Sequence, residues 1–529
     1  MPDPDLLVVG RIHTLDPERP LAGAVLARGG RFAAVGSEDE CRRAARRGHR
    51  RIDLGRGSAV PGLADAHGHL VMHGRALAEV DCRDAGGAAE CAARAGEKAA
   101  RLPEGSWVRG RGWDESRWRD PAPPTAAALD RAVPGHPVVL DRVDGHASWV
   151  NGRALALAGI GPGTSDPPGG RIERDAAGTP TGILVDRARD LVLDLVPVPA
   201  AEEMEEAIRR SAAALVRVGI TSVHDAGVPG EAWPVLRRLA GDDLLPLRVY
   251  GMLDGTGDPG RLRAAMQGWR AAPEVGRLAV RAVKLFADGA LGSRGAALLQ
   301  PYADDPGNAG LLLLEPAELR ARIGAIAAAG FQPAIHAIGD RACREVLRAL
   351  AASGEAIRAL RPRVEHLQVL LPEDAPLLAA CGAVASMQPV HLASDGPWAA
   401  ARLGAGTERL RGAYAWRRAA SFAPLAFGSD FPVEDPDPRA GLLAAETRRG
   451  RGGEVLWPGE PLGRAEALRA FTAGAAFASF AEGRRGTVRE GLDADLTAFG
   501  EDVMAVPAED LPRLPVVLTV VGGRVEWQA

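Results

Sequence analysis

Residues 62 to 70 read GLADAHGHL, a short apolar run ending in two histidines held apart by one glycine. A run of that length, apolar on both faces, suits a strand buried inside a parallel sheet. Seven further segments repeat the form: ITSVHDAG (220–227), LRVYGML (247–253), VRAVKLF (280–286), FQPAIHAIG (331–339), RVEHLQ (363–368), GAVASMQP (382–389) and PLAFGSD (424–430). Helical patterns such as MEEAIRRSAAALVRVG and PAELRARIGAIAAAG lie between several of them, each closing on a glycine as a helix C-terminus should. Eight strand–helix units predict an α/β fold, a (β/α)8 TIM barrel over residues 61–483.

Outside that core the periodicity changes. The first sixty residues alternate in short strands with glycine turns (DLLVVGRIHT, GAVLARGGRFAAVG, RRIDLG), and the last forty-odd do the same in GTVREGLDADLTAFG and VVLTVVGGRVEW. Chain ends commonly meet, so residues 1–60 and 484–529 are expected to form one small sheet domain. Between barrel strands 1 and 2, about residues 71–218 greatly exceed one crossover helix. That stretch is rich in proline, glycine and tryptophan, as in SWVRGRGWDESRWRDPAPP and GPGTSDPPGGRIERD. It is expected to be an inserted lobe over the barrel mouth, since so long a structureless loop does not fit a compact domain.

Bulk properties narrow the class. With 25% charged residues, a net charge of −4 and no basic run interleaved with aromatics, nothing points to nucleic acid or an anionic membrane as partner. Small molecules are the expected partners. The five cysteines fall without a CxxC spacing, against both a disulfide framework and a thiolate zinc site. The start, MPDPDLLVVGRIHTLDPERP, carries aspartates where a signal peptide would be basic, and no apolar run reaches transmembrane length. A cytoplasmic location is expected.

The polar residues at the predicted strand ends are His67 and His69, then Lys284, His336, His366 and Asp430. In a barrel these ends converge on the C-terminal face, where active sites are built. Singly, each has an ordinary structural role: a hydrogen-bonded polar residue at a strand end, a lysine paired with Asp288, an aspartate in a turn. Together they describe a metal site. Imidazoles suit zinc, iron or nickel, and Asp430 adds an anionic oxygen. Lys284 is one of only two lysines among 64 basic residues, so an arginine bias has spared it. A neutral lysine amine can take up carbon dioxide as a carbamate and bridge two ions, which an always-protonated guanidinium cannot.

VPGLADAHGHL, VKLFADGALGSR, IHAIGDRA, RVEHLQ and AFGSDFPVEDPDPR resemble the amidohydrolase superfamily, specifically amidohydrolase family 3 proteins similar to N-substituted formamide deformylases. The resemblance extends to SWVN, PPGGRIERDAAGTPTGIL and GTVREGLDADL, nearly the whole chain. It implies the barrel, a composite β-sandwich built from both termini, and a binuclear site, the ions expected to be zinc. His67, His69 and Asp430 would hold one ion and His336 and His366 the other, with carboxylated Lys284 between them. It also makes a homo-oligomer an expectation.

The expected chemistry is metal-assisted hydrolysis of an amide-type C–N bond, a water between the ions acting as nucleophile and Asp430 as proton carrier. Substrate contacts are sought in the insert, at Trp113, Trp118, His146 and Trp149, and on the barrel loops, at Arg294, Tyr302, Met387, His391 and Trp398. The same residues would serve a cyclic amidohydrolase or a deaminase. A non-catalytic scaffold on an amidohydrolase barrel is the alternative of another class; retention of all six candidate ligands weighs against it.

Overall fold

The computed structural model describes residues 4–115, 118–119, 124–143, 147–168, 170–197, 199–450, 453, 455 and 461–529. All eight expected strands form: β1 (Leu63–Gly68), β2 (Ile220–Val228), β3 (Arg248–Asp254), β4 (Leu278–Phe286), β5 (Gln332–Ala337), β6 (Arg363–His366), β7 (Val384–Met387) and β8 (Leu425–Phe427). They are neighbours in chain order within one parallel sheet. Strand parity explains their composition. Ala64, Ala66 and Ala426 face outward onto Ala475 and Ala478 of the helix Ala475–Ala478. Ala226, Tyr250, Met252, Ala282 and Ala334 fill the interior. Lys284 lies two residues beyond Ala282, and His336 two beyond Ala334, so alternation brings both to the inner face.

The seam between β8 and β1 closes just past the end of β8. Gly68 bridges in parallel with Phe431, the Asp430 N–H donates to His67 O at 2.6 Å, and the His69 N–H donates to Phe431 O at 2.9 Å. A β-carbon on Gly68 would lie 2.1 Å from a ring carbon of Phe431, so only glycine admits this approach. The histidine pair and Asp430 are therefore joined by barrel closure itself. Asp65 reinforces it, accepting from Ser429 Oγ at 2.6 Å and from the His67 N–H at 3.0 Å.

The terminal segments do combine, in one seven-stranded sheet. Its order is Arg524–Gln528, Val516–Val521, Leu496–Phe499, Arg50–Pro61, Leu6–His13, Leu21–Arg28 and Arg31–Gly36. The sheet rolls until its far ends approach: a β-carbon on Gly523 would lie 3.3 Å from that of Ala27. Val8 and Phe32 accordingly share a buried cluster with Leu496, Leu518 and Val520. The helix Glu38–Ala44 was not expected among the hairpins, although Ser37 and Glu40 close a reciprocal capping box at its start.

Residues 72–207 form a second compact unit, shorter than the expected insert. The helix Ala201–Arg217 passes from it into the barrel unit at Ile208. Its last turns belong there because Thr519 Oγ1 donates to Val216 O at 2.7 Å. The insert is built on a six-stranded sheet, Gly170–Arg174, Pro180–Asp186, Ala147–Val150, Val138–Arg142, Val108–Trp113 and Val80–Asp81. Its core includes Cys91, Trp113, Leu140 and Trp149. Among the described residues no helix is long and apolar enough to cross a membrane.

Candidate metal centre

The six strand-end residues converge. His67 Nε2 lies 3.2 Å from Lys284 Nζ and 3.6 Å from Asp430 Oδ1, and His69 Nε2 lies 3.1 Å from the same oxygen. The His366 ring centre is 4.8 Å from that of His67 and 4.6 Å from that of His336. One donor atom each from His67, His366 and Asp430 fall within 4.8 Å of one another. This compact trio draws from both ligand sets implied by the family resemblance.

Two of these side chains arrive by backbone conformations that sequence periodicity does not encode. On β6, alternation points Arg363 and Glu365 inward and would turn His366 away. His366 instead adopts φ +69°, and Asp430 adopts φ +63°, left-handed values that ordinary residues seldom take.

Burial sets the protonation states. It lowers His67 to about 4 and His336 to about 3, each helped by the nearby Lys284 charge, and carries His366 well below the usual imidazole range. Neutral imidazoles have a lone pair to give. Burial also lowers the Lys284 amine to about 8. Burial alone would raise Asp430, but the His69 hydrogen bond and the neighbouring imidazoles hold it below the carboxylate range. Among the described residues, His366 Nδ1 has no hydrogen-bond partner although it is buried. Neutral imidazoles, an ionised carboxylate, a weakly basic amine and an orphaned ring nitrogen form a donor set that fits divalent metal.

Lys284 does not pair with Asp288. That carboxylate accepts the N–H groups of Ala297, Ile338 and Gly339 at 2.8 to 3.0 Å, tying the loop after β4 to the end of β5. It stands 3.5 Å from His336 Nε2, and burial pushes it up to about 7.

The expected substrate contacts separate. His391 belongs to the site: its Nε2 is buried, unpartnered among the described residues and 3.8 Å from Asp430 Oδ2, and its ring stacks on His366 at 5.9 Å. With His366, Gln368, Met387, Gln388 and Tyr414 it lines a small slot. Arg294 instead pairs with Asp304 at 3.0 Å. Tyr302 is buried with its hydroxyl donating to Ala296 O at 2.8 Å, so it braces a loop. Trp113 packs in the insert's core, its indole N–H donating to Leu140 O at 2.7 Å. The expectation for His146 lies outside the described residues.

Sequence reading passed over Glu365 and Arg363, both fully buried beneath the site. Glu365 Oε2 is 2.6 Å from His67 Nδ1. The signal was present in RVEHLQ, where two charged residues occupy inward positions of a barrel strand.

Comparison with known proteins agrees with this geometry. Residues 50–526 match the model of the amidohydrolase family. The YtcJ protein of Bacillus subtilis (strain 168) is 33% identical over 491 residues, covering 90% of each chain. N-substituted formamide deformylase of Arthrobacter pascens is 28% identical, covering 99% of this chain and 98% of its own. The crystal structure of an uncharacterized metal-dependent hydrolase from Pyrococcus horikoshii OT3 superposes with a TM-score of 0.79 at 26% identity, covering 96% of this chain and 99% of that one. A matched barrel, a cluster of residues that fits a divalent metal and relatives along the full length lead to one conclusion: this chain is a hydrolase and belongs to the amidohydrolase family.

Proposed function

We propose that this protein hydrolyses an amide-type C–N bond in a small molecule, with N-substituted formamides as the first substrates to try. The observation that carries the reading is the buried meeting of His67, Lys284, His366 and Asp430, with His366 Nδ1 lacking a partner among the described residues. His67, His69 and Asp430 would hold one ion, His336 and His366 a second, and a carbamate on Lys284 both. Divalent ions, zinc in this reading, supply Lewis acidity to a water and to the scissile carbonyl.

The protein's own groups do the rest. The Lys284 amine, weakened by burial, attacks carbon dioxide through nitrogen and releases a proton as the carbamate forms. Asp430, low in pKa and oriented by His69, accepts a proton from the attacking water and returns it to the leaving nitrogen. His391 presents a ring nitrogen beside the other Asp430 oxygen, where it can orient a substrate carbonyl or amide. The formamide suggestion rests on the Arthrobacter relative.

The test is metal content per chain by elemental analysis, for protein expressed with bicarbonate and zinc, beside Lys284→Ala. About two ions in the parent and fewer in the variant support the reading. One ion in both removes the bridging role of Lys284, and no metal brings the scaffold alternative forward. A panel of amides, cyclic amides and aminopurines then separates amide hydrolysis from ring opening and deamination.

A further inference from the structure

Beneath the candidate metal centre, one guanidinium ties four barrel strands together. Arg363, on β6 and without solvent contact, donates from Nε to Glu365 Oε1 at 2.7 Å and from Nη1 to His224 Nδ1, on β2, at 2.8 Å. Its Nη2 donates to Ala66 O on β1 at 2.6 Å, to Ser386 Oγ on β7 at 2.9 Å and to Glu365 Oε2 at 3.3 Å. Lysine, with a single nitrogen, could not span these partners.

The consequence reaches the site through Glu365. Its Oε2 stands 2.6 Å from His67 Nδ1. A carboxylate receiving the guanidinium on both oxygens can only accept, so His67 must donate from Nδ1 and keep its lone pair on Nε2. That nitrogen faces Lys284 Nζ and Asp430 Oδ1. We infer that Glu365, locked in place by Arg363, is a positioning residue that holds His67 in its metal-binding tautomer and ring orientation. Glu365 and His366 thus divide the work: the first fixes a ligand on β1 from below, and the second turns into the cavity through its left-handed backbone. A histidine ligand whose other nitrogen meets a carboxylate gains in basicity and loses freedom to rotate. This inference rests on the metal-dependent reading of the site.

Glu365→Gln tests it. The carboxamide oxygen is drawn to Arg363, which has only donors, leaving the amide N–H to face His67 Nδ1 and drive the proton to Nε2. Cobalt(II) and zinc affinities, measured by competition with a chromophoric chelator, should fall about 10–100-fold. The cobalt absorption spectrum should change with them. In parallel, nitrogen-15 histidine spectra of the metal-free parent, assigned with His67→Asn, should show Nδ1 of His67 protonated, a readout independent of whether the glutamine variant folds. Unchanged metal affinity in a folded Glu365→Gln, or an Nε2-protonated His67 in the parent, overturns the inference and leaves the hydrolase reading intact. A parent that binds neither metal overturns both.

Discussion

The amine of Lys284 stands 3.2 Å from Nε2 of His67, and both side chains are buried. An ammonium there is deprived of water, which is why the amine falls from 10.5 to about 8. Without metal, that arrangement strains the fold at neutral pH.

Lys284→Met should therefore raise the stability of metal-free protein at pH 7, by about 1–3 kcal/mol. The sign follows from proton uptake. Below the folded pKa both states hold the proton and the folded state bears the full penalty. Between about 8 and 10.5 the unfolded chain binds more protons than the folded one, so parent stability rises with pH there. Urea unfolding at pH 7 and pH 9.5 should show the variant's advantage shrinking at the higher pH. An advantage equal at both would remove the titration of Lys284 as its cause.

Asp430→Asn should keep most of its metal and lose turnover about 100-fold or more, since the amide cannot shuttle a proton. Metal analysis and steady-state kinetics on the same preparation check this. Near-parental kcat would take the proton-transfer role from Asp430.

Gly68→Ala should destabilise the protein by about 1–3 kcal/mol or more, because its methyl group enters the space of the Phe431 ring. The seam carries His67, His69 and Asp430, so metal affinity should fall with thermal stability. A variant with parental melting temperature would mean that the seam relaxes cheaply.

His391→Phe keeps a ring of similar shape stacked on His366 but removes the nitrogen that has no hydrogen-bond partner among the described residues. With a substrate from the amide panel, KM should rise about tenfold, on the scale of one hydrogen bond, while metal content stays the same. A loss of metal without a change in KM would place His391 among the metal-holding residues instead.

Much of this was legible in the linear chain. Each of the eight strands was marked by an apolar run, and six of the polar residues at their ends proved to be neighbours in space. Less legible were the features set by contacts distant in sequence. The terminal strands alternate as a sandwich would, yet which strand meets which is set by pairings such as that between Arg50–Pro61 and Leu496–Phe499. Tyr302 and Trp113 looked available for substrate because their chemistry is suitable; their hydroxyl and indole groups are bonded to Ala296 O and Leu140 O instead.

The sequence by itself determined the barrel and which polar residues stand at its strand ends, because strand length, inward parity and residue chemistry are local properties read directly from residue order. Only the tertiary structure decided how the donors are aimed. The left-handed turns at His366 and Asp430, the glycine seam at Gly68 and the Arg363–Glu365–His67 chain all join residues from opposite ends of the sequence or oppose the local periodicity. Their energies come from packing and hydrogen bonds that exist only once the barrel has closed.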